Sequence, residues 1–259
     1  MKKILLILLF LSYGFASAWC QSVVESVPSK PLHSLSLGVG LSHTGLKNET
    51  VSSLIFSTVG LPMHFTYRRE SAVSRQYAQL QFLSQTLESP FNFMMEDVGG
   101  HLTYGYLRRI KSSKTMNVFL GGECQVQGAG RRMTNNINVP RLITLFNSLH
   151  LAGMMDYSIG KHRFEGQLNM ALFGYNLRAG NNLSDAFVPD LFDALWRRGK
   201  FETLPNYLNM AWRLSYIPFI STQHIQWRVD YWGNFYRFNK GQYLGILHNQ
   251  LTTSLTYKF

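Results

Sequence analysis

Paired cysteines are missing from this chain. It has 2 Cys among 259 residues, and Cys20 lies in or beside a segment that we expect to be removed, which leaves Cys124 without a partner. A framework of disulfides and a cysteine-rich metal site are therefore excluded. No phosphate-binding loop or metal-ligand spacing is present either, so we predict neither a metal nor a cofactor.

Long hydrophobic runs are also missing beyond residue 20. None approaches the roughly 20 apolar residues of a spanning helix, although 46% of the residues are hydrophobic and 14% are aromatic. The mean hydropathy is only -0.07, and the apolar residues are dispersed one in two instead of in blocks. Dispersal with a period of two predicts β-strands that have different solvents on their two faces.

Acidic residues are few. Asp and Glu number 14 against 25 Lys and Arg, which gives a formal net charge of +11. A basic balance suits a nucleic-acid partner, but the sequence has no recognition motif and its N-terminus predicts export. We therefore predict that nucleic acid is not a partner, and that the positive charge binds other phosphates or lies inside the fold.

The N-terminus has the layout of an export signal. Lys2 and Lys3 precede an apolar core of eight residues, Ile4–Leu11, which is too short to span a bilayer. Small residues then allow cleavage after Ala18 or after Cys20. The pattern predicts a cleaved signal peptide.

The last segment has the clearest alternation. From Leu247 to Phe259 the odd positions are mostly apolar and the even positions are wholly polar. Its final aromatic positions, Leu255-x-Tyr257-x-Phe259, resemble the C-terminal assembly signal of bacterial outer-membrane β-barrel proteins. The resemblance implies an integral barrel of the bacterial outer membrane, inserted by the barrel-assembly machinery.

Ten segments alternate in this way. They predict an all-β fold, a transmembrane antiparallel up-and-down barrel over 34–259, after a signal peptide over 1–20 and a short periplasmic segment over 21–33. Each segment is long enough for a tilted strand to cross a bilayer. The predicted strands cover 35–43, 60–69, 76–84, 100–109, 116–127, 148–158, 163–175, 207–216, 223–235 and 247–259.

The predicted connections alternate in length. Short turns follow the even-numbered strands, whereas the first four odd-numbered strands are followed by the segments 44–59, 85–99, 128–147 and 176–206. Short periplasmic turns and long extracellular loops are typical of outer-membrane barrels. The alternation predicts that both termini lie in the periplasm.

The fourth long loop contains an apolar stripe at helical spacing. It predicts a short amphipathic helix that packs on the barrel rim or a neighbouring loop, or that serves as a lid, plug or partner-docking surface. We expect a counter-surface at Leu142, Leu145 and Phe146 in the third loop. The stripe consists of Val188, Leu191, Phe192, Leu195 and Trp196.

Charged side chains at inward positions predict an ion-pair network inside the barrel. A tight turn near residues 160–161 places Asp156 opposite Glu165, and a turn near 219–220 places Arg213 opposite Gln226. Guanidinium groups bridge carboxylates well, and a barrel of this size is narrow enough for side chains to fill. The predicted network consists of Arg68, Arg109, Asp156, Glu165, Arg213, Arg228 and Asp230.

Catalytic motifs are missing. Ten strands is the size of the omptin proteases, which use acidic pairs and a His near the extracellular rim, but no Asp-x-Asp or Asp-x-His occurs here. Asp156 and Glu165 are expected at the opposite end. The His-x-Ser arrangement of outer-membrane phospholipases is not supplied by His64-Phe65-Thr66 or His150-Leu151-Ala152.

The sequence therefore favours a barrel with a largely filled lumen, which is not an enzyme. It would act through its extracellular loops as a binding or scaffold component, or as a subunit of an envelope complex. The expected partners are outer-membrane lipid, lipopolysaccharide, the barrel-assembly machinery and another envelope protein. The alternatives are a narrow diffusion channel for small polar solutes and a membrane-embedded hydrolase, such as a protease or lipid hydrolase.

Overall fold

The computed structural model describes residues 31–49, 52–134, 142–179, 200–204, 206–218, 224–239 and 243–259. These residues form β-strands and no α-helix. None of them belongs to a helix that is long and apolar enough to cross a membrane. The strands are β1 (Leu32–Asn48), β2 (Ser52–Gly60), β3 (Met63–Glu70), β4 (Ser74–Glu88), β5 (Met94–Ser112), β6 (Met116–Met133), β7 (Leu142–Ile159), β8 (His162–Ala179), β9 (Lys200–Glu202), β10 (Tyr207–Ile217), β11 (Ile225–Phe238) and β12 (Leu244–Lys258).

The strands form one closed antiparallel sheet. β1 pairs with β12, and β10 pairs with both β8 and β11, so the sheet has no free edge. β2 and β3 follow one another along a single position of the barrel, between β1 and β4, and β9 and β10 likewise share the position beside β8. The twelve strands therefore occupy about ten positions around the barrel wall. The predicted up-and-down barrel of about ten strands is confirmed.

A proline separates β2 from β3. Pro62 has no N–H to donate to the ladder, and a proline interrupts strand pairing for this reason. Its carbonyl oxygen still accepts a hydrogen bond from the backbone N–H of Gly40 at 3.2 Å. The predicted second strand, 60–69, corresponds to β3, so β2 (Ser52–Gly60) was not predicted.

The two faces of the wall differ as the alternation predicts. In β12, Leu251 and Leu255 are 56% and 62% exposed on the outer face, whereas Gln250 and Thr252 are 3% and 2% exposed on the inner face. The same alternation in the other strands gives the barrel an apolar outer surface and a polar lumen. Lipid fits such an outer surface, because it needs no hydrogen bonds from the side chains.

One bulge shifts the alternation. Leu149 pairs with Phe173 and His150 pairs with Ala171, which leaves Leu172 as the extra residue. Both Leu172 and Phe173 therefore lie exposed on the outer face. The sequence predicted Leu172 outward but not Phe173, because a bulge has no signature in a period-two pattern.

The strands are longer than predicted. β5 has 19 residues, whereas a transmembrane strand needs about 9–11. Most of the predicted loops 44–59, 85–99 and 128–147 is strand, since β1, β4 and β6 run on to Asn48, Glu88 and Met133. Beyond the lipid the outer face no longer has to be apolar, so the sequence signal fades while the hydrogen-bond ladder continues.

The interior has different contents at its two ends. The end where β1 begins and β12 ends, here called the termini end, contains most of the buried charged side chains, next to a small apolar cluster around Leu107, Phe119 and Met154. The opposite end, here called the loop end, contains a layer of buried apolar side chains that point inward from most of the strands. This apolar layer consists of Leu46, Phe56, Leu87, Met95, Met133, Phe146, Ala171, Tyr207, Tyr236, Phe238, Leu244 and Ile246.

Candidate functional site

Glu165 is the centre of a charged network at the termini end of the lumen. It lies on the inner face of β8 and is buried. Four guanidinium groups surround its carboxylate, with nitrogen–oxygen distances of 3.0 Å from Arg68, 2.9 Å from Arg163, 2.9 Å from Arg228 and 3.5 Å from Arg75. A buried carboxylate needs such partners, since leaving it unpaired would cost several kcal/mol.

A second carboxylate faces Glu165 across the β7–β8 hairpin. Asp156 pairs directly with Glu165 in the ladder, and Gly160, with a φ of 58°, forms the tight turn that sets this register. Arg75 and Arg163 contact Asp156 at 2.5 Å and 2.8 Å. The two carboxylates therefore share arginines, which offsets their mutual repulsion.

Glu70 and Arg163 also belong to the network, although neither is among the residues predicted from the sequence. The Glu70 carboxylate lies 3.3 Å from Arg68, 3.3 Å from Arg75 and 3.5 Å from Arg163. Both residues lie next to the short turns of the β3–β4 and β7–β8 hairpins. Their charges at inward positions beside a short turn are the feature of the sequence that indicates ion pairing at this end of the lumen.

The structure brings five of the seven predicted network residues together. Asp230 contacts Arg228 at 2.7 Å and accepts a hydrogen bond from Ser215 at 2.5 Å. The five residues are Arg68, Asp156, Glu165, Arg228 and Asp230.

The predicted register of Arg213 is wrong. Arg213 pairs with Trp232 and not with Gln226, and the ladder between β10 and β11 ends at the pair Tyr216 with Val229. Arg213 still points into the lumen, where it donates a hydrogen bond to the side-chain oxygen of Gln79. It lies beside the network and has no carboxylate partner among the described residues.

Arg109 also lies apart from the network. Its guanidinium group lies over the ring of Phe119, 5.5 Å from the centroid, and Arg75 lies over the same ring at 4.4 Å. Arginine stacks well on an aromatic face. Arg109 therefore contributes to a side wall of the lumen and not to the ion pairs around Glu165.

A layer of hydrogen bonds from uncharged donors to one carboxylate crosses the middle of the lumen. The Glu123 carboxylate accepts hydrogen bonds from Tyr77, from Gln125 at 2.5 Å and from Asn169 at 2.8 Å. Gly105 makes room for Tyr77, since a Cβ there would overlap the tyrosine ring. Gln167 also contacts Tyr77 and Glu123, so the layer joins β4, β6 and β8.

A third polar layer lies closer to the loop end. Arg131 contacts Asp97 at 2.9 Å, and Gln85 donates to the other Asp97 oxygen at 2.9 Å. Thr44 Oγ1 lies 3.2 Å from Gln85 and 2.7 Å from His248 Nδ1. This chain of contacts runs from β6 through β5, β4 and β1 to β12.

A hydroxyl–imidazole pair is present that the sequence analysis did not single out. Ser148 Oγ lies 2.7 Å from His150 Nε2, and Asn209 lies 3.4 Å from both atoms. A catalytic triad orients its imidazole through the second ring nitrogen. In the described part of the chain His150 Nδ1 has no hydrogen-bond partner, so this pair has no such orienting group.

Three small cavities lie between these layers in the described part of the lumen. They have volumes of about 20, 60 and 10 Å³, and Trp232 lines all three. Cavities of this size hold one or a few water molecules. Within the described ranges, no group of three or more His, Cys, Asp or Glu side chains could hold a metal ion.

Comparison with known proteins agrees with this geometry. The chain is similar to the outer membrane protease OmpT from Escherichia coli, with a TM-score of 0.61 at 9% identity over 92% of this chain and 99% of OmpT. The chain has the fold of an outer-membrane β-barrel. No family model matches the sequence, and no curated protein matches it.

Two further barrels are more distant in shape. The translocator domain of the autotransporter NalP from Neisseria meningitidis gives a TM-score of 0.46 at 10% identity, over 89% of each chain. Neisserial surface protein A gives 0.36 at 8% identity, over 90% of this chain and all of that one. At identities this low the comparisons show the fold of the outer-membrane barrel and not its activity.

The other predicted site residues have separate positions. Leu255, Tyr257 and Phe259 lie exposed on the outer surface of the barrel. The stripe Val188, Leu191, Phe192, Leu195 and Trp196 lies outside the described residues. Of its expected counter-surface, Phe146 instead points into the lumen and packs on Tyr236 at 4.5 Å, while Leu145 is half-buried on the outer side of the ladder.

Replacing Glu165 by Gln should destabilise the barrel. The substitution leaves four arginines around a neutral group, and removing one partner of a buried ion pair costs about 3–5 kcal/mol. Unfolding in denaturant of the refolded protein in detergent measures the change. Glu88→Gln, at an exposed position of β4, is the matched control and should change stability little. Equal effects of the two substitutions would contradict the central role of Glu165.

Proposed function

We propose that this protein is an integral outer-membrane barrel with a closed lumen, which acts through its loop end as a binding or scaffold component of an envelope complex. The observation that carries the proposal is the filling of the lumen along its length. A charged network, two polar layers and an apolar layer follow one another from the termini end to the loop end.

The contacts that fill the lumen connect strands that are not neighbours in the wall. Arg68 of β3 reaches Glu165 of β8, and Arg75 of β4 reaches Asp156 of β7. Gln81 of β4 donates to Gln250 of β12 at 2.9 Å. A solute path would require several of these buried contacts to break together, and each buried ion pair costs several kcal/mol to break. This supports a closed barrel over the diffusion channel.

The likeness to OmpT does not favour a hydrolase. The paired carboxylates of this chain are held by arginines at the termini end, where they are not free to activate water. The buried Ser148–His150 pair lines none of the three lumen cavities, and His150 Nδ1 has no hydrogen-bond partner among the described residues to orient the ring. The proposal is therefore a protein that binds and does not hydrolyse.

The orientation is part of the proposal. With both termini in the periplasm, the loop end faces the outside of the cell. Lys47 of β1 and Arg237 of β11 both pair with Gly245 of β12 and share one row on the outer face near this end. Cations at that level meet the phosphates of lipopolysaccharide. A partner in the envelope would dock on the loops beyond this row.

The reconstituted wild-type protein should show no steady conductance in planar bilayers. Trp232→Ala should produce brief openings, because Trp232 lines all three of the described lumen cavities and the substitution removes its bulk from each. Trp227→Ala is the matched control: it lies on the same strand but is 51% exposed on the outer face, against 9% for Trp232. Steady, large conductance of the wild-type protein would overturn the closed lumen and favour the channel.

Insertion should depend on the terminal aromatic residue. Phe259→Ser should lower the heat-modifiable, folded fraction in outer membranes severalfold, because Leu255, Tyr257 and Phe259 are proposed to be read by the assembly machinery. Phe82→Ser removes an aromatic ring of similar exposure from the middle of β4, so it controls for lost lipid contact. An equal loss in both variants would remove the support for a signal at Phe259.

Charges in the apolar stripe of the fourth loop should loosen that loop without preventing insertion. Leu191→Asp combined with Leu195→Asp is expected to increase protease cleavage of the loop on intact cells, since a charged stripe cannot pack on an apolar surface. Asn181→Asp with Asn182→Asp adds the same charge at polar positions of the same loop. If the stripe variant is as protected as this control, the stripe does not hold the loop in place.

A further inference from the structure

We propose that the lumen contains a binding site for a small monovalent anion of the halide class beside Arg213. The site is the cavity of about 20 Å³ that lies on the loop side of the charged network. Arg68, Arg213 and Arg228 all line it, whereas Asp230 is its one carboxylate. The inference concerns the interior of the barrel and holds whether or not the proposed loop function is correct.

Among the three guanidinium groups that line this cavity, Arg213 is the one that forms no ion pair within the described residues. Four arginines and four carboxylates are paired with each other at the termini end: Arg68, Arg75, Arg163 and Arg228 with Glu70, Asp156, Glu165 and Asp230. Arg213 is a further cation at the edge of this balanced set, and its partner is the neutral Gln79. A cation in such a place is stabilised by a nearby anion.

The carboxylates near Arg213 are engaged elsewhere. Asp230 is held by Arg228 at 2.7 Å and by the Ser215 hydroxyl at 2.5 Å. Glu123 lies in the adjacent hydrogen-bonded layer, where Tyr77, Gln125 and Asn169 occupy its oxygens. Neither carboxylate forms an ion pair with Arg213 in the described part of the chain.

A serine hydroxyl provides an independent indication of a ligand. Ser254 is 3% exposed, lines the cavity, and its Oγ has no hydrogen-bond partner in the described structure. A buried hydroxyl without a partner costs about 1–3 kcal/mol. An anion in the cavity would accept hydrogen bonds from Ser254 and from Arg213, which satisfies both groups together.

The size of the cavity selects the class of anion. A volume of about 20 Å³ accommodates a single particle close to a water molecule in size. A halide ion is a single atom of this order, whereas tetrahedral oxyanions such as phosphate and sulfate have five heavy atoms and need more room. Water would satisfy Ser254 but would not offset the excess of three guanidinium groups over one carboxylate in the lining of the cavity.

Bromide is a direct probe for the site. Crystals of the full-length protein soaked in sodium bromide should show an anomalous peak within hydrogen-bond distance of Arg213 and Ser254. In detergent, the unfolding temperature at constant ionic strength should rise as bromide replaces gluconate, which is too large for the cavity. Bromide peaks confined to exposed arginines, or no peak at all, would overturn the proposal.

Two variants and one control connect the bromide effect to the cavity. Arg213→Met should weaken the apparent bromide affinity at least about tenfold, because it removes a charge-assisted hydrogen bond. Ser254→Ala should weaken it less and leaves every charge in place, so it decides the question if Arg213→Met fails to fold. Arg109→Met removes a lumen cation that does not line the cavity, and should leave the bromide response unchanged. An identical response in all four proteins would refute the site.

Discussion

Closure of the sheet is the constraint on which the rest of this structure depends. Backbone N–H and C=O groups have no water to bind in the hydrocarbon layer, so a strand that crosses it must pair on both sides. The ladder between β1 and β12 meets this requirement by joining residues at opposite ends of the chain. Once the sheet is closed, one face of every strand meets lipid and the other meets a lumen too narrow for bulk water.

The narrow lumen explains why its polar groups bind each other. An inward side chain in a ten-stranded barrel has other side chains within reach in every direction. Three buried carboxylates are satisfied in three different ways. Glu165 binds four arginines, Glu123 accepts hydrogen bonds from uncharged donors, and Asp97 pairs with Arg131. The three groups differ in charge, and Arg213 lies between the first two with the neutral Gln79 as its hydrogen-bond partner.

The sequence predicts the side of the wall on which a residue lies far better than it predicts its neighbours. Alternation places Leu255 outward and Arg228 inward, because the choice between lipid and lumen is made by each residue separately. Register depends instead on turn geometry. The tight turn at Gly160 gives the pairing of Asp156 with Glu165 correctly, whereas the turn assumed near 219–220 gives the wrong partner for Arg213, which pairs with Trp232 and not with Gln226.

Contacts across the lumen cannot be predicted from the sequence for a different reason. Arg75 and Asp156 belong to separate hairpins, and their meeting depends on how the closed wall curves, which no local pattern encodes. Strand ends were missed where the outer face leaves the lipid, as at Asn48 and Met133. Glu70 and Arg163 are the two further members of the network that could be predicted, because both are charged and lie next to short turns.

The network around Glu165 also has a consequence for the order of folding. Its members come from the β3–β4 and β7–β8 hairpins and from β11, and Arg68 and Glu165 are 97 positions apart in the chain. Contacts between such distant segments form late, because the entropy of closing a long loop precedes any gain. A half-formed wall would present uncompensated guanidinium groups to the bilayer. The interior charges thus penalise incomplete barrels and make wall closure and lumen packing a single cooperative event.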